Sequence, residues 1–326
     1  MRQRARLSAK LPMTGGIYVT GNIVADCLVQ PVDSLPAWGS TTFVDSIDLH
    51  LGGNGAASAY AAGRMGVPVQ LAGAVGEDSF GQFALKRLRG SAVDTSRVVV
   101  HSGVATATTV GLVNRKAERL FFHDPGASRH FKLGNIPFDP DTIGNCSYFH
   151  FGSIFCLPKL RDHAGELLQK ARGAGLITSL DTDWDTDDRW MEDFKPLCPL
   201  LAYLFTNLLE AKMLTGLADP GENGRILRKL GAKVVVIKLG AAGCAVFSGQ
   251  GDFSLPAYRV DAIDTTGAGD CFCGAFLAGL CRGLDLREAA QLGTAVGAQC
   301  VQHVGGTDWE ASYESTRRWM ESRENQ

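Results

Sequence analysis

A run of seven residues near the C-terminus carries the clearest chemical signal in the chain. It reads Asp-Thr-Thr-Gly-Ala-Gly-Asp over residues 264–270 and is followed by an apolar stretch of small residues with helical spacing. Gly267, Ala268 and Gly269 would present free backbone N–H groups at the positive end of a helix dipole, which stabilises a phosphate in transit. Asp270, in the first turn, is placed to accept a proton from an attacking hydroxyl. A helix cap would explain Asp270 alone, but the complete run favours catalysis.

Two further motifs carry groups suited to a polyhydroxyl ligand. Gly52, Gly53 and Asn54 belong to a Gly-Gly-Asn-Gly segment at a predicted strand-to-helix junction. Glycine allows a ligand to approach the backbone, and the Asn54 amide both donates and accepts hydrogen bonds. Asp26 lies just past the first predicted strand and is an acceptor placed to hold two hydroxyls. Each motif alone also has an ordinary explanation, namely a tight turn with a helix cap and a loop acid.

The middle of the chain offers groups for a metal ion and a nucleotide. Asn207 and Glu210 follow a predicted strand and share one helix face, where they could order waters around Mg²⁺. A helix cap plus a surface acid explains that pair equally well. Lys238, Gly240 and Gly243 form a Gly-rich turn after a β-branched strand, suited to the phosphate or ribose edge of a nucleotide. The alternative for this turn is a plain β-hairpin.

The elements that must position these groups follow from the apolar pattern. Strand-like runs alternate with helical patterns, and the runs cover 16–20, 69–75, 176–180, 201–205 and 234–239. Helical spacing marks the segments 80–88, 160–171, 207–214, 269–282 and 286–302. This alternation predicts an α/β fold with a doubly wound, mostly parallel sheet flanked by helices. Ligands of such sheets bind at the carboxyl ends of the strands, where the motifs fall.

Three β-rich pieces interrupt the alternation, over 46–51, 106–113 and 119–122. They predict a small β-sheet lid within segments of about 18–50 and 98–125. His50 and His123 lie in this lid and could touch substrate, although exposed strand histidines are the commoner case. The predicted domain boundaries are a disordered tail over 1–15, the α/β domain over 16–310, and a C-terminal helix or tail over 311–326.

Composition excludes several classes of protein. The 326 residues carry a net charge of −2, so no bulk positive field would hold nucleic acid or an anionic membrane. No apolar run approaches the ~18 residues of a membrane-spanning helix. The nine cysteines lack paired zinc spacing and predict a reducing compartment, the cytoplasm. The P-loop, the dinucleotide G-x-G-x-x-G, the protein-kinase H-R-D and the G-x-S-x-G elbow are all missing from the sequence.

In their order along the chain, these motifs resemble those of the ribokinase-like (PfkB-type) carbohydrate kinases. The resemblance covers roughly residues 17–306 and is most specific at LGGNGAASAYAAGRMG (51–66) and DTTGAGDCFCGAF (264–276). Asn54 stands where ribokinases often carry Lys. The segment 180–190 is close to a D-x-N-x-R…W stretch of fructokinase and ketodeoxygluconate kinase relatives, with acids at some positions.

The resemblance implies a role for each motif. It implies ATP and Mg²⁺ as cofactors, Asp270 as the base and 267–269 as the anion hole. The other residues it implies are, for the sugar, Asp26, Gly52, Gly53 and Asn54; for the nucleotide, Asn207, Lys238, Gly240 and Gly243; and for water-held Mg²⁺, Glu210 and Asn207. A monovalent cation such as K⁺ would bind near Asp264 and Thr266. The lid would also form a homodimer interface.

The expected reaction is the in-line phosphorylation of a hydroxyl, usually a primary one, of a small sugar or sugar acid. Two alternatives share the fold: a nucleoside kinase, and a non-catalytic relative that binds sugar or nucleotide. An NAD(P)-dependent oxidoreductase is a third alternative, but it would need the missing glycine fingerprint. The sequence names neither the acceptor nor the phosphorylated carbon.

Overall fold

The computed structural model describes residues 15–116 and 118–323, and thirteen strands and eleven α-helices lie within them. The predicted tail, apart from Gly15, falls outside the described residues. The strands are β1 Gly16–Thr20, β2 Val24–Gln30, β3 Ser46–Gly52, β4 Val69–Gly76, β5 Val93–His101, β6 Ala107–Val113, β7 Arg119–Asp124, β8 Cys146–Phe151, β9 Ile177–Asp181, β10 Tyr203–Asn207, β11 Val234–Lys238, β12 Cys244–Ser248 and β13 Phe253–Leu255. The helices are α1 Asn54–Arg64, α2 Ser79–Gly90, α3 Pro140–Ile143, α4 Pro158–Arg161, α5 Ala164–Gly173, α6 Met191–Phe194, α7 Leu208–Thr215, α8 Pro220–Lys229, α9 Ala268–Cys281, α10 Leu286–Cys300 and α11 Tyr313–Arg323.

Nine of these strands form the main sheet, in the order β13-β12-β11-β10-β9-β8-β1-β4-β5. The strands are parallel except at one edge, where β12 and β13 run antiparallel to their neighbours. Successive side chains of a strand face opposite sides, so Val236 of β11 packs in one apolar core and Val235 and Ile237 pack in the other. Burial on both faces explains the continuous β-branched run and confirms the predicted doubly wound sheet.

The small sheet has four strands in the order β3-β2-β6-β7. Within the predicted lid segments, residues 18–20 belong to β1 and residues 98–101 belong to β5 of the main sheet, and β3 continues past residue 50 to Gly52. Strand β2 pairs antiparallel with β3 and parallel with β6, so the small sheet draws its strands from two distant parts of the chain.

The paired helices α4 and α5 and the C-terminal helix α11 are the remaining local features of the fold. The single helix predicted over 160–171 is interrupted, with α4 ending at Arg161 and α5 beginning at Ala164. At the C-terminus, α11 packs on α10, and the Thr316 hydroxyl donates to Gln299 Oε1 at 2.9 Å. Between residues 15 and 323, no described helix combines the length and apolar character needed to cross a bilayer.

Candidate active site

The N-terminus of α9 lies at the carboxyl edge of the main sheet. Gly267 is its N-cap residue with φ of 70°, in the left-handed region that favours glycine. A Cβ at Gly267 would lie 2.8 Å from the Gly306 Cα, so close backbone packing also requires glycine here. Ala268 and Gly269 begin the helix, where the first N–H groups have no partner inside it. These groups can receive an anion, as the sequence predicts.

The second predicted motif meets this helix end across a cavity of about 290 Å³. Asp270 lines the cavity at one side, and the predicted sugar residues line it at the other: Asp26, Gly52, Gly53 and Asn54. The Asn54 N–H donates to Asn22 Oδ1 at 2.8 Å, which fixes the start of α1. Residues more than 200 positions apart in sequence therefore surround one space.

Asp26 differs from the predicted loop acid, because it lies within β2, paired with His50 of β3 and Thr109 of β6. A Cβ at Gly52 would lie 1.8 Å from the Asp26 Oδ2 atom, so glycine at this position makes room for the carboxylate. Burial raises the pKa of Asp26, while the hydrogen bond from Thr109 and the charge of His50 oppose the rise. Strand β2 shows no polar-apolar alternation, because Val24 and Leu28 on one face and Ala25 and Val29 on the other are all apolar, which is why the strand escaped prediction.

Asp270 is the residue of this cavity best suited to accept a proton. Burial raises the pKa of Asp270, the nearby carboxylate of Asp181 raises it further, and the Lys238 ammonium opposes both effects. The Ser58 hydroxyl donates to the backbone carbonyl of Asp270 at 3.1 Å and ties this turn to α1. A carboxyl group whose pKa lies above its ordinary value is a better proton acceptor when ionised than an exposed aspartate.

Lys238 is the last residue of β11 and lies beneath the N-terminus of α9, the predicted anion hole, whereas the sequence assigns it to the Gly-rich turn 238–243. Its Nζ donates to both carboxylate oxygens of Asp181 at 2.7 Å. A Cβ at Gly269 would lie 3.1 Å from this Nζ, so the ammonium is next to the start of α9. Burial by itself would lower the pKa of Lys238, but the Asp181 carboxylate raises it above its ordinary value. A permanent positive charge therefore supports the helix end that would face a phosphate.

Asn207 and Glu210 form a capping box at the start of α7. Asn207 Oδ1 accepts from the Glu210 N–H at 2.8 Å, and Glu210 Oε2 accepts from the Asn207 N–H at 3.1 Å. Glu210 is buried and also accepts from the Thr182 hydroxyl. The cap alternative is thus correct, whereas Glu210 is not a surface acid. Burial raises its pKa, and Lys238 opposes that rise.

The described residues contain no group of three or more His, Cys, Asp or Glu side chains that could hold a metal directly. Glu210, Asp181 and Asp270 are nevertheless close enough for each to influence the same charges. Mg²⁺ usually keeps several waters and binds few protein carboxylates alongside substrate phosphates. These buried acids fit such a water-held ion.

The Gly-rich turn lies further along the same edge of the sheet. Gly240–Ala242 is an exposed single turn of 3-10 helix, and Gly243 packs against the backbone after β13. Beyond it is a cleft of about 570 Å³ between residues 255–259 and the α10 residues Gln291 and Thr294. Gly240 and Gly243 are not among the residues that line the Asp270 cavity, so the turn borders a separate space.

Sequence reasoning missed two residues of the small sheet at the cavity, Thr109 and Phe121. They line it together with His123, for which substrate contact was considered from the sequence. The Thr109 hydroxyl is 3.1 Å from His123 Nδ1. Arg119, also missed, bonds to both predicted cation ligands, Asp264 and Thr266. Pairing across β6 and β7 was the signal that could have placed Thr109 beside His123, and it gives no indication of the contact between Arg119 and Asp264.

Comparison with solved structures identifies the fold. A putative ribokinase II from E. coli, in complex with ATP and Mg²⁺, aligns with a TM-score of 0.84 and 21% identity over 94% of this chain and 99% of that chain. The Arabidopsis thaliana ribokinase complexed with ribose and ATP gives the same TM-score at 23% identity, with the same coverage of both chains. The two sheets therefore form a ribokinase fold.

Sequence comparison gives the family. Residues 17–311 match the pfkB family of carbohydrate kinases. The ribokinase of Mus musculus is 29% identical over 300 residues, 89% of this chain and 90% of that protein. The 2-dehydro-3-deoxygluconokinase of Thermoproteus tenax is 30% identical over 275 residues, 81% of this chain and 83% of that protein. The chain belongs to the pfkB family of carbohydrate kinases, which confirms the resemblance found in the motifs.

Proposed function

We propose that this sugar kinase transfers the γ-phosphoryl group of ATP to a hydroxyl, in most cases a primary one, of a small sugar. One observation carries the proposal: Asp270 and the N-terminus of α9 share a cavity with the polar groups of Asp26 and Asn54. A polyhydroxyl ligand held by Asp26 and Asn54 would place a hydroxyl between the base and the anion hole.

The reaction follows from these positions. Ionised Asp270 accepts the proton of the acceptor hydroxyl as its oxygen attacks the γ-phosphorus in line with the departing ADP. The N–H groups at residues 267–269 stabilise the negative charge on the transferring phosphoryl group, supported by Lys238 Nζ beneath them. Mg²⁺, when bound, neutralises charge on the phosphates. Glu210 and Asn207 would hold its waters, and closure of the small sheet over the cavity would exclude bulk water.

The nucleotide would lie along the same edge of the sheet. We place its base in the cleft between residues 255–259 and α10, with its ribose and phosphates passing the turn 240–243 toward α9. The cleft is next to this turn, since a Cβ at Gly243 would reach the Leu255 carbonyl oxygen. This placement can be tested by titrating the wild type and a Gly240→Val variant with ATP and comparing the thermal shifts. A weaker shift in the variant would support it.

The charges around the cavity favour a neutral acceptor over a sugar acid. Among the described residues that line it there are two carboxylates, Asp26 and Asp270, and neither Lys nor Arg. A substrate carboxylate would be repelled by these acids without a compensating positive group. Leu28 and Phe121 add an apolar wall, and this wall is the observation that favours a nucleoside as the second candidate acceptor.

An ADP-release assay with ATP and Mg²⁺ tests the reaction and the acceptor together. The panel would contain neutral pentoses and hexoses, the matching sugar acids, and nucleosides. We expect the highest kcat/KM with a neutral sugar. A clear preference for a sugar acid would contradict the charge argument, and binding of sugar and ATP without ADP release would favour the non-catalytic alternative.

The small sheet also supports the proposed homodimer. Large apolar side chains are exposed on it and on the loop of residues 31–45, namely Leu35, Trp38, Phe43, Ile47, Leu120, Phe121 and Phe122. Exposed apolar patches of this kind mark interaction surfaces. We expect light scattering to show a dimer. Ile47→Asp should dissociate this dimer, whereas the control Ile177→Asp, at an exposed position of the main sheet, should leave it intact. The nine free thiols suit the proposed cytoplasmic location.

A further inference from the structure

A positive side chain of the small sheet reaches the loop that leads into α9. Arg119, the first residue of β7, places Nη2 at 2.6 Å from Asp264 Oδ1. Its Nη1 donates to the Thr266 hydroxyl at 2.7 Å. Asp264 and Thr266 are the residues that the family resemblance implies as ligands of a monovalent cation.

Asp264 is a buried carboxylate that needs a positive partner. Only 5% of the residue is exposed, and its two oxygens accept the N–H groups of Thr266 at 2.8 Å and Gly305 at 2.9 Å. A buried ion without a counter-charge is strongly unfavourable. Arg119 provides that charge with a side chain that is itself only 22% exposed.

A monovalent cation does not fit these residues while Arg119 is in place. Asp264 Oδ1 and the Thr266 hydroxyl both contact the guanidinium, and the second Asp264 oxygen accepts from the Gly305 N–H, so the side-chain oxygens of these two residues are already engaged. An ion added there would lie against a like charge in a poorly hydrated environment, where repulsion is least screened.

We propose that the Arg119 guanidinium is a built-in substitute for the monovalent cation, so that this kinase needs no K⁺. This inference rests on the proposed function. Arg119 is a positioning residue: it holds Asp264 and Thr266, and Thr266 is followed directly by the N-cap Gly267 of the anion hole. Loss of the guanidinium would let the loop shift and would misdirect the N–H groups of 267–269.

The test compares cation dependence in the wild type and in Arg119→Met, which keeps the side-chain length and removes the charge. We expect wild-type kcat to agree within about twofold in KCl, NaCl and choline chloride. Without a specific cation site, salt acts only by screening charges, and screening is the same at equal ionic strength. Arg119→Met should lose on the order of tenfold to a hundredfold in kcat in choline chloride, the effect of a small misplacement. Added K⁺ or guanidinium should restore part of that loss.

A matched control is Arg115→Met, since Arg115 lies in the turn between β6 and β7 and pairs with the exposed Asp33. This variant should keep wild-type kcat and show no response to K⁺. If Arg119→Met does not fold, Arg119→Lys keeps the charge without the two-pronged geometry. It should then show a smaller loss of kcat and only partial sensitivity to K⁺.

Thermal unfolding without substrates separates this inference from the proposed function. K⁺ should raise the Tm of Arg119→Met above its value in choline chloride, and it should leave the wild-type Tm unchanged relative to choline. Activation of the wild type by K⁺ of tenfold or so, or a wild-type Tm that rises specifically with K⁺, would overturn the inference. An absence of kinase activity with every acceptor would overturn the proposed function and leave the Tm comparison intact.

Discussion

Replacing Asp270 by Asn gives the most demanding test of the proposed chemistry. Asn has nearly the same shape, so the turn held by the Ser58 hydroxyl should persist and the change removes only the proton acceptor. A positioned general base contributes about 10²–10⁴-fold, which corresponds to about 2.7–5.5 kcal/mol at 1.36 kcal/mol per tenfold. We expect kcat to fall by that factor while the KM for ATP stays within about threefold or decreases, because a negative charge near the phosphates is lost.

The pKa of Asp270 adds two readouts to this test. Because that pKa is raised, the ionised base exists only at higher pH than for an exposed aspartate, and the acidic limb of the wild-type kcat/KM profile should lie well above pH 4. The unfolded chain ionises this carboxyl near pH 4, whereas the folded chain retains the proton to higher pH. Ionisation therefore costs folding free energy above pH 4, so Asp270→Asn should have a higher Tm than the wild type at pH 8. Near pH 3 the two Tm values should converge.

The control for the charge change is Asp261→Asn, at an exposed position outside the cavity lining. It should leave kcat and the pH profile unchanged. Near-normal kcat in Asp270→Asn, with an acidic limb like that of the wild type, would refute the assignment of Asp270 as the base.

Three further outcomes follow from the site. Lys238→Met should move the acidic limb of the pH profile to still higher pH, because Lys238 lowers the pKa of Asp270. It should also cost about 3–5 kcal/mol in urea unfolding by leaving Asp181 without its partner; an unchanged profile would contradict the assigned charge. Glu210→Gln should raise the Mg²⁺ concentration for half-maximal rate on the order of tenfold, as for other groups that orient metal-bound waters, and an unaltered Mg²⁺ titration would argue against this role. Gly267→Ala should lower unfolding free energy by at least about 1–2 kcal/mol, because φ there is left-handed, and should reduce kcat with it; full activity would mean that the N-cap geometry is not needed.

Apolar patterning in the sequence was enough to predict five of the nine strands of the main sheet, namely β1, β4, β9, β10 and β11. The strands over residues 16–20 and 234–238 have continuous apolar runs because both faces of the sheet are covered. The start of α9 was equally predictable, because the run 264–270 combines glycine and acid directly before a helical pattern.

The missed features depend on side-chain direction and on pairing between distant strands. The residues next to Lys238 in sequence do not indicate that its side chain turns inward. Its direction depends on Asp181, the buried carboxylate at the end of β9, to which its Nζ donates. Arg119 meets Asp264 across 145 positions of sequence. The strand β2 lacks regular alternation because apolar residues lie on both of its faces, with Val24 and Leu28 lining the cavity and Ala25 and Val29 on the opposite face.

The parallel pairing of β2 with β6 has a consequence for how the molecule is assembled. Val24 of β2 is in register with Ala107 of β6, and the intervening chain includes α1, β4, α2 and β5 of the main body. Closing so long a loop is unfavourable until its ends are already held near each other. We therefore expect the main body to gain structure first and the acceptor side of the cavity, with Asp26 at its centre, to mature last during refolding. Pulse-labelled amide exchange should find β2 and β6 protected after β1 and β4.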